Sequence, residues 1–306
     1  MAQLDGLVVV DKPSGCTSHD VVARCRRVFG QRRVGHAGTL DPDATGILLV
    51  GLGQATRLLQ FLTGLRKVYT GEVVLGVATS TLDASGDVVA TWEMGDVSLQ
   101  EARRAAASLT GPIMQVPPMV SALKVGGRRL HELAREGTEV ERAPRPVTVH
   151  RFDVSSAGRE GSGLVLAVDV ECSAGTYVRS LAADLGAALG GGGHLRKLRR
   201  TAVGPFGEGD AVALDELVDM AEPRERVLSP ARACAHLARA HAGAEVAAEI
   251  AHGRVLPLER LLGEGPRPEG PWAVLGGDGE LLAVYQAHRH GTAKPVVVLA
   301  PGATCR

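Results

Sequence analysis

Residues 47–50, Ile-Leu-Leu-Val, form a continuous apolar run between Gly46 and Gly51. A run that short and unbroken reads as a buried strand. The twelve residues ahead of it, 35–46, read Gly-His-Ala-Gly-Thr-Leu-Asp-Pro-Asp-Ala-Thr-Gly and contain three glycines and one proline. Such a stretch forms a tight loop, and loops fixed by a buried scaffold commonly carry function. Pro42 confines Asp41 to extended backbone. One carboxylate is therefore held in a stiff loop, with His36 upstream and Arg32 and Arg33 just before it. In isolation an Asp-Pro pair is a turn former, so the rest of the chain decides what this one does.

Leu7 to Val10 reads as a short strand that turns at Asp11-Lys12-Pro13-Ser14-Gly15. Thr17 and Asp20 have capping-box spacing ahead of a helix with Val21, Val22, Cys25, Val28 and Phe29 on one face. Between positions 21 and 40 there are five arginines and no acidic residue. That imbalance beside the loop suits a phosphate-binding edge as well as a solvated helix face. A second helical stretch, 54–63, precedes a strand over 67–77 in which Tyr69, Gly71, Val73, Leu75 and Val77 alternate. Ser98 and Glu101 cap a helix to Leu109. The segment from Lys124 to Arg151 holds seven Lys/Arg and four Glu, is bordered by Gly126-Gly127, and looks hinged and protruding. Val147–Val154 and Leu164–Cys172 read as paired strands, and a helix follows from Tyr177 with Arg179 in its first turn. An arginine there opposes the helix dipole and needs a carboxylate partner. The basic run His194-Leu195-Arg196-Lys197-Leu198-Arg199-Arg200 reads equally as a helix end or an RNA patch. An alanine-rich helical stretch to about His252 and three short strands at 272–275, 281–286 and 296–299 complete the chain.

The order of these motifs resembles the TruB-type tRNA pseudouridine synthases. The loop matches G-H-x-G-x-L-D-P-x-A-T-G, and Asp11 to Val22 matches the family's D-K-P-x-G-x-T-S-H-D-V-V motif. Further matches are K-x-Y at Lys67–Tyr69, Q-x-P-P-x-x-S-A-L-K at Gln115–Lys124, G-T-Y-x-R at Gly175–Arg179, and H-L-x-x-L-R-R-T at His194–Thr201. The chain departs from the family at Ser80, Val120 and His131, where an aspartate and two tyrosines are usual. The resemblance implies an α+β pseudouridine synthase fold: a central mixed, largely antiparallel sheet flanked by helices, plus a small mainly-β PUA-like C-terminal domain. It puts the catalytic domain at 1–228, an RNA-clamping insertion at about 124–147, and the RNA-binding domain at 232–306.

The same resemblance implies isomerisation of the T-loop uridine, position 55, of tRNA, by base flipping and attack of Asp41. Arg179 is implied as the partner of Asp41, and Tyr69 as pocket wall and proton-moving base. His36, Tyr177 and Leu198 complete the substrate site. The expected contacts to the RNA backbone are Arg32, Arg33, Lys124, Arg128, Arg129, Arg196, Lys197, Arg199 and Arg200. Because Arg179 adjoins Asp41, it is expected to lower the carboxyl pKa. Isomerisation oxidises nothing and acquires no group, so no metal or organic cofactor is expected. Five scattered cysteines (Cys16, Cys25, Cys172, Cys234, Cys305) form no Cys-x-x-Cys pair, which fits a reducing cytoplasm. No signal peptide or apolar span of membrane length is evident. The expected partner is the tRNA T-arm, bound by a monomer with no obligatory protein partner and no membrane. A net charge of zero confines RNA contact to local basic stretches. Two other readings stand beside this one. A guide-RNA-dependent synthase shares the core, and a non-catalytic RNA-binding or RNA-folding protein needs no carboxylate in a phosphate-rich site.

Overall fold

The structure is a computed structural model describing residues 3–121, 124–125, 128–129, 140–160, 163–263 and 268–299. The first half comprises β1 (Gly6–Lys12), α1 (Ser18–Val28), β2 (Val34–Ala37), β3 (Thr45–Leu52), α2 (Leu59–Thr63), β4 (Lys67–Leu75), β5 (Val77–Thr79) and β6 (Val88–Thr91). It continues with α3 (Leu99–Ser108), β7 (Gly111–Gln115), β8 (Lys124–Val125), β9 (Arg128–Arg129), β10 (Arg145–Glu160) and β11 (Gly163–Cys172). Then follow α4 (Val178–Ala188), β12 (Gly193–Val203), β13 (Phe206–Gly207), β14 (Val212–Ala213) and α5 (Leu214–Asp219).

The main sheet runs β14-β1-β3-β12-β4-β11-β10-β7, with β2 beside β3 and β13 beside β12. The pairs β1–β14 and β3–β12 are parallel and the other pairs antiparallel, so the sheet is mixed and largely antiparallel, as expected. Both faces of β1 and β3 are buried, which explains their unbroken apolar runs. Val8, Val10, Leu48 and Val50 meet Val21, Val22 and Cys25 of α1 on one face. Leu7, Val9, Ile47 and Leu49 meet Leu62 and Phe206 on the other. The half built on β4, β10 and β11 packs under α3 and α4 through Leu166, Val168, Ala102, Leu181 and Leu185. Both expected capping boxes form, at Thr17–Asp20 and Ser98–Glu101. Gly76, at φ +85°, splits the expected 67–77 strand into β4 and β5.

The basic run 193–203 is a central strand, not a helix end. Its period is hidden because β12 carries register shifts between Leu195 and Lys197 and between Arg200 and Ala202. The first bulge adds a residue, so Leu195, Leu198 and Arg200 share a face that strict alternation would have divided. The alanine-rich stretch is also not one helix. It is α6 (Pro230–Ala233), β15 (Ala238–His241) and α7 (Ala244–Ala251), because β15 finds a parallel partner in β17 (Trp272–Leu275) and tertiary pairing overrides propensity. With β16 (Leu256–Pro257), α8 (Leu258–Leu262), β18 (Leu281–Ala287) and β19 (Thr292–Val298), this region makes a five-stranded sheet in the order β15-β17-β18-β19-β16. That sheet packs on the turn after β3: Ala55 and Leu58 join Leu275, Val284 and Val297, and Arg57 donates to the Val298 carbonyl at 2.8 Å.

Topology places three residues in one row. Gly46 of β3 lies opposite Arg200 of β12, which lies opposite Tyr69 of β4. Gly46 sits at φ +100°, and a Cβ there would strike the Arg200 backbone. Gly46→Ala is therefore expected to lose about 2–5 kcal/mol in urea unfolding, the left-handed penalty plus overpacking. Gly15→Ala, at φ +81° but facing open space, should lose only about 1 kcal/mol. Equal losses for the two would show that the close approach to Arg200 has no energetic weight.

Candidate active site

The loop before β3 is pinned from below. Ser18 accepts from the Leu40 amide at 2.9 Å and donates to the Leu40 carbonyl at 3.2 Å. The Pro42 carbonyl accepts from the Gly15 amide and from Lys12 Nζ at 2.8 Å. Lys12 is fully buried and also donates to the Pro13 and Cys16 carbonyls. The turn closes where the Ala44 amide reaches the Asp41 carbonyl. Arg200, 1% exposed, holds the other side, donating to the Ile47 carbonyl at 2.7 Å and the Gly38 carbonyl at 2.9 Å. Main-chain carbonyls are thus turned onto cations, and the Asp41 carboxylate projects free of them.

Arg179 meets that carboxylate. Its Nε lies 2.9 Å from Asp41 Oδ2, and its Nη2 donates to Asp41 Oδ1 at 3.1 Å. Nη2 also donates to the Val120 carbonyl at 2.9 Å, and Nη1 to the Thr81 carbonyl at 3.1 Å. Nη1 further faces Asp83 Oδ2 at 3.5 Å. The guanidinium thus contacts two carboxylates and two carbonyls at once. Arg179 is buried in the first turn of α4, with 5% of its side chain exposed, whereas Asp41 keeps 43%. Asp83 is itself fixed by Thr81 Oγ1 and Ser85.

Asp41 stands on the rim of a cavity of about 280 Å³ whose walls include Tyr69, Tyr177, Leu198, Lys67, Arg179 and Arg200. A second hollow, about 460 Å³, shares Asp41, Arg179 and Leu198 and adds Asp83, Arg196 and Lys197. Tyr69 is buried, and that burial pushes its phenol pKa up against the opposing charge and hydrogen bond of Arg200, so it stays protonated at neutral pH. Burial also lowers the Lys67 ammonium to about 8. Its Nζ donates to the Thr63 and Leu65 carbonyls at 2.6 Å. Tyr177 is located by a side chain that sequence reasoning passed over. Gln115, 2% exposed, donates to the Tyr177 carbonyl at 3.1 Å and accepts from its amide at 2.8 Å. That amide is the sheet-like hook that sets the start of α4, two residues before Arg179.

The direction expected for Asp41 is reversed. Removal from water is the largest influence and raises its carboxyl pKa; Arg179 pulls it down, Asp83 pushes it up, and the net lies above the ordinary value. His36 is on β2 and does not line the cavity. Its ring stands edge-on to His19 at 5.4 Å, its Nδ1 is buried without a hydrogen-bond partner, and burial lowers its pKa.

The cations expected to touch RNA divide. Arg200 faces inward and is corrected from a surface contact to a core residue. Arg199 is bonded to Asp11 and Glu208, both at 2.7 Å, and Arg196 and Lys197 to Glu72. Arg32 and Arg33 are exposed, as is Arg128. The side chains of Lys124 and Arg129, and residues 126–127 and 130–139 with His131 among them, lie outside the described residues. Val120 contributes only its carbonyl to Arg179, so the side chain usual at that position is not what the contact uses. Ser80 closes the 80–87 turn through its amide and hydroxyl.

Residues 26–178 match the family model described as TruB family pseudouridylate synthase (N terminal domain), and residues 179–262 that of the tRNA pseudouridylate synthase B C-terminal domain. The chain is 49% identical over 307 residues to the tRNA pseudouridine synthase B of Arthrobacter sp. (strain FB24), covering 97% of each. The protein of the same name from Paenarthrobacter aurescens (strain TC1) is 47% identical over 303 residues, covering 98% of this chain and 96% of the relative. Among solved structures, the archaeal box H/ACA sRNP Nop10-Cbf5 complex contains a chain matching at TM-score 0.73 and 27% identity, over 97% of this chain and 86% of that one.

Replacing Arg179 by Met leaves Asp41 and Asp83 facing each other without their shared cation. The expected loss is about 2 kcal/mol at neutral pH, below the range for a fully dry pair because Asp41 is partly exposed. A carboxyl pKa above that of the unfolded chain makes ionisation favour unfolding, so stability falls as pH rises through the folded value. Urea titrations of Arg179→Met should therefore show a smaller deficit near pH 4 than near pH 7. A deficit that grows on acidification would contradict the assignment.

Proposed function

Because this chain belongs to the TruB family of pseudouridylate synthases, we propose that it isomerises the uridine at position 55 of the tRNA T loop to pseudouridine, without a guide RNA. The observation that carries this reading is a carboxylate held at both oxygens by a buried arginine at the edge of a pocket with room for one nucleoside. A duplex base cannot enter such a pocket, so the uridine is flipped out, at a cost of a few kcal/mol. Asp41 is the nucleophile. The C1′–N1 bond breaks, the freed base turns, and C1′ joins C5; the proton lost from C5 is matched by one gained at N1. Tyr69 packs against the base and relays the C5 proton, with Arg200 beside its oxygen to hold the passing charge. Tyr177 and Leu198 wall the pocket while the base turns. His36, off the cavity, supports the displaced loop nucleotides at its approach.

We read residues 1–228 as the catalytic domain, with an RNA clamp at about 124–147, and 232–306 as a PUA-like RNA-binding domain. Arg32, Arg33, Lys124, Arg128 and Arg129 are assigned to the T-arm backbone. The protein acts as a cytoplasmic monomer. The relatives named for tRNA are nearly half identical to this chain, whereas the H/ACA chain is 27% identical, and this favours the stand-alone reading over a guide-dependent one.

The test is incubation of the pure chain with unmodified tRNA, without guide RNA, followed by pseudouridine mapping. Modification at position 55 is expected; its absence would overturn the proposal. Asp41→Asn should lower turnover by more than about 10³-fold while tRNA affinity stays within a few fold. The acid limb of kcat/KM reports the free enzyme's essential base. It is expected above the usual carboxylate range, because Asp41 is raised, and Arg179→Gln should move it higher still by removing the main opposing charge. A downward shift in that variant would exclude Asp41 as the titrating group.

A further inference from the structure

The β12 cations are already occupied by carboxylates or buried, so the backbone grip must rest elsewhere. At the C-terminal end of α1 a surface hollow of about 330 Å³ is walled by Arg26, Arg27, Gly30, Gln31 and Arg32. All three arginines are exposed. Arg26 spends one donor on the Val34 carbonyl, and Gln31 is tied to the main chain of Leu4. Arg27 and Arg32 have no carboxylate partner among the described residues, in contrast with Arg24, paired to Asp215 at 2.8 Å, and with Arg199. The hollow contains no aromatic or apolar side chain on which a base could stack. Converging guanidinium forks without an acid suit phosphate oxygens.

We infer that this hollow is a phosphate station for the duplex part of the RNA, remote from the flipped nucleotide. The inference rests on the tRNA reading above. The four-residue strand β2 separates the hollow from the loop that carries Asp41. At about 3.3 Å per residue that is roughly 13 Å, or about four steps along a duplex strand. The contact therefore falls on the stem, beyond the nucleotides at the pocket, and contributes affinity and placement without reading sequence.

The experiment is a salt titration of the full chain's affinity for unmodified tRNA, comparing wild type, the double variant Arg27→Ala/Arg32→Ala, and Arg104→Ala. Arg104 is exposed on α3 and serves as the charge control. Losing two phosphate contacts should flatten the slope of log affinity against log salt by about 1.5, at up to 0.9 per contact. The affinity ratio of wild type to double variant should then shrink about eightfold between 50 and 200 mM salt. An unaltered slope, or equal flattening by Arg104→Ala, would overturn the inference. Failure of the wild type to form pseudouridine would instead overturn the reading on which it rests, so the two failures are distinguishable.

Discussion

The Arg179 guanidinium is the point at which separate parts of the chain are made into one site. Its partners Asp41, Thr81 and Val120 are 138, 98 and 59 residues away along the sequence. A single planar cation with five fixed donor directions orients two carboxylates and two carbonyls at once. A lysine ammonium, with three donors and no plane, could satisfy fewer of them. The first turn of α4 is an unfavourable place for a positive charge. The two acids and two carbonyls around it outweigh that penalty, and so the fold positions an arginine where a free helix would not.

Charge inside the molecule is organised differently from charge on its surface. Lys12, Lys67 and Arg200 are buried, and each is hydrogen-bonded chiefly to carbonyl oxygens. Lys12 and Arg200 hold carbonyls of the Asp41 loop, Lys67 those of the turn before β4, and the charge of Lys12 bears directly on Asp41. That charge offsets part of the cost of burying a carboxylate, and it suits a substrate that brings phosphates. The surface cations of β12 are cancelled locally by Asp11, Glu72 and Glu208. A net charge of zero therefore conceals a site rich in cations and a strand whose apparent basicity is mostly spent.

Much of this was legible in the sequence, for identifiable reasons. Asp41 was visible because Pro42 and the loop glycines mark a rigid turn before a buried strand, and Tyr69 because β4 alternates cleanly. The capping boxes are local and so were readable. What escaped notice depends on distance or irregularity. Arg200 looked like one more member of a basic run, and only the first bulge of β12 puts it on the inward face with Leu195 and Leu198. Gln115 bonds main-chain groups of Tyr177, which leave no complementary side chain to notice. The share of Asp83 in Arg179 needed the bridge between Asp83 and Leu195 that docks its loop on β12. The direction of the Asp41 shift was misjudged because a charge partner can be inferred from sequence, whereas burial cannot.

That misjudgement bears on how a nucleophile is made. A carboxylate held too firmly by an arginine is low in energy and reacts poorly, whereas one buried without a partner takes up a proton and does not react at all. Asp41 lies between these limits. Burial and Asp83 lift its pKa, Arg179 restrains the rise, and the carboxyl remains partly open to the cavity. Asp83 has two effects at the same place. It draws one Nη of Arg179 toward itself at 3.5 Å, and its own charge repels the Asp41 carboxylate. Both leave Asp41 more basic than a private ion pair would. Entry of an RNA nucleotide removes further water from Asp41 and strengthens every charge interaction around it. The opposing influences of burial, Asp83 and Arg179 on Asp41 thus all act more strongly when the site is filled than when it is open.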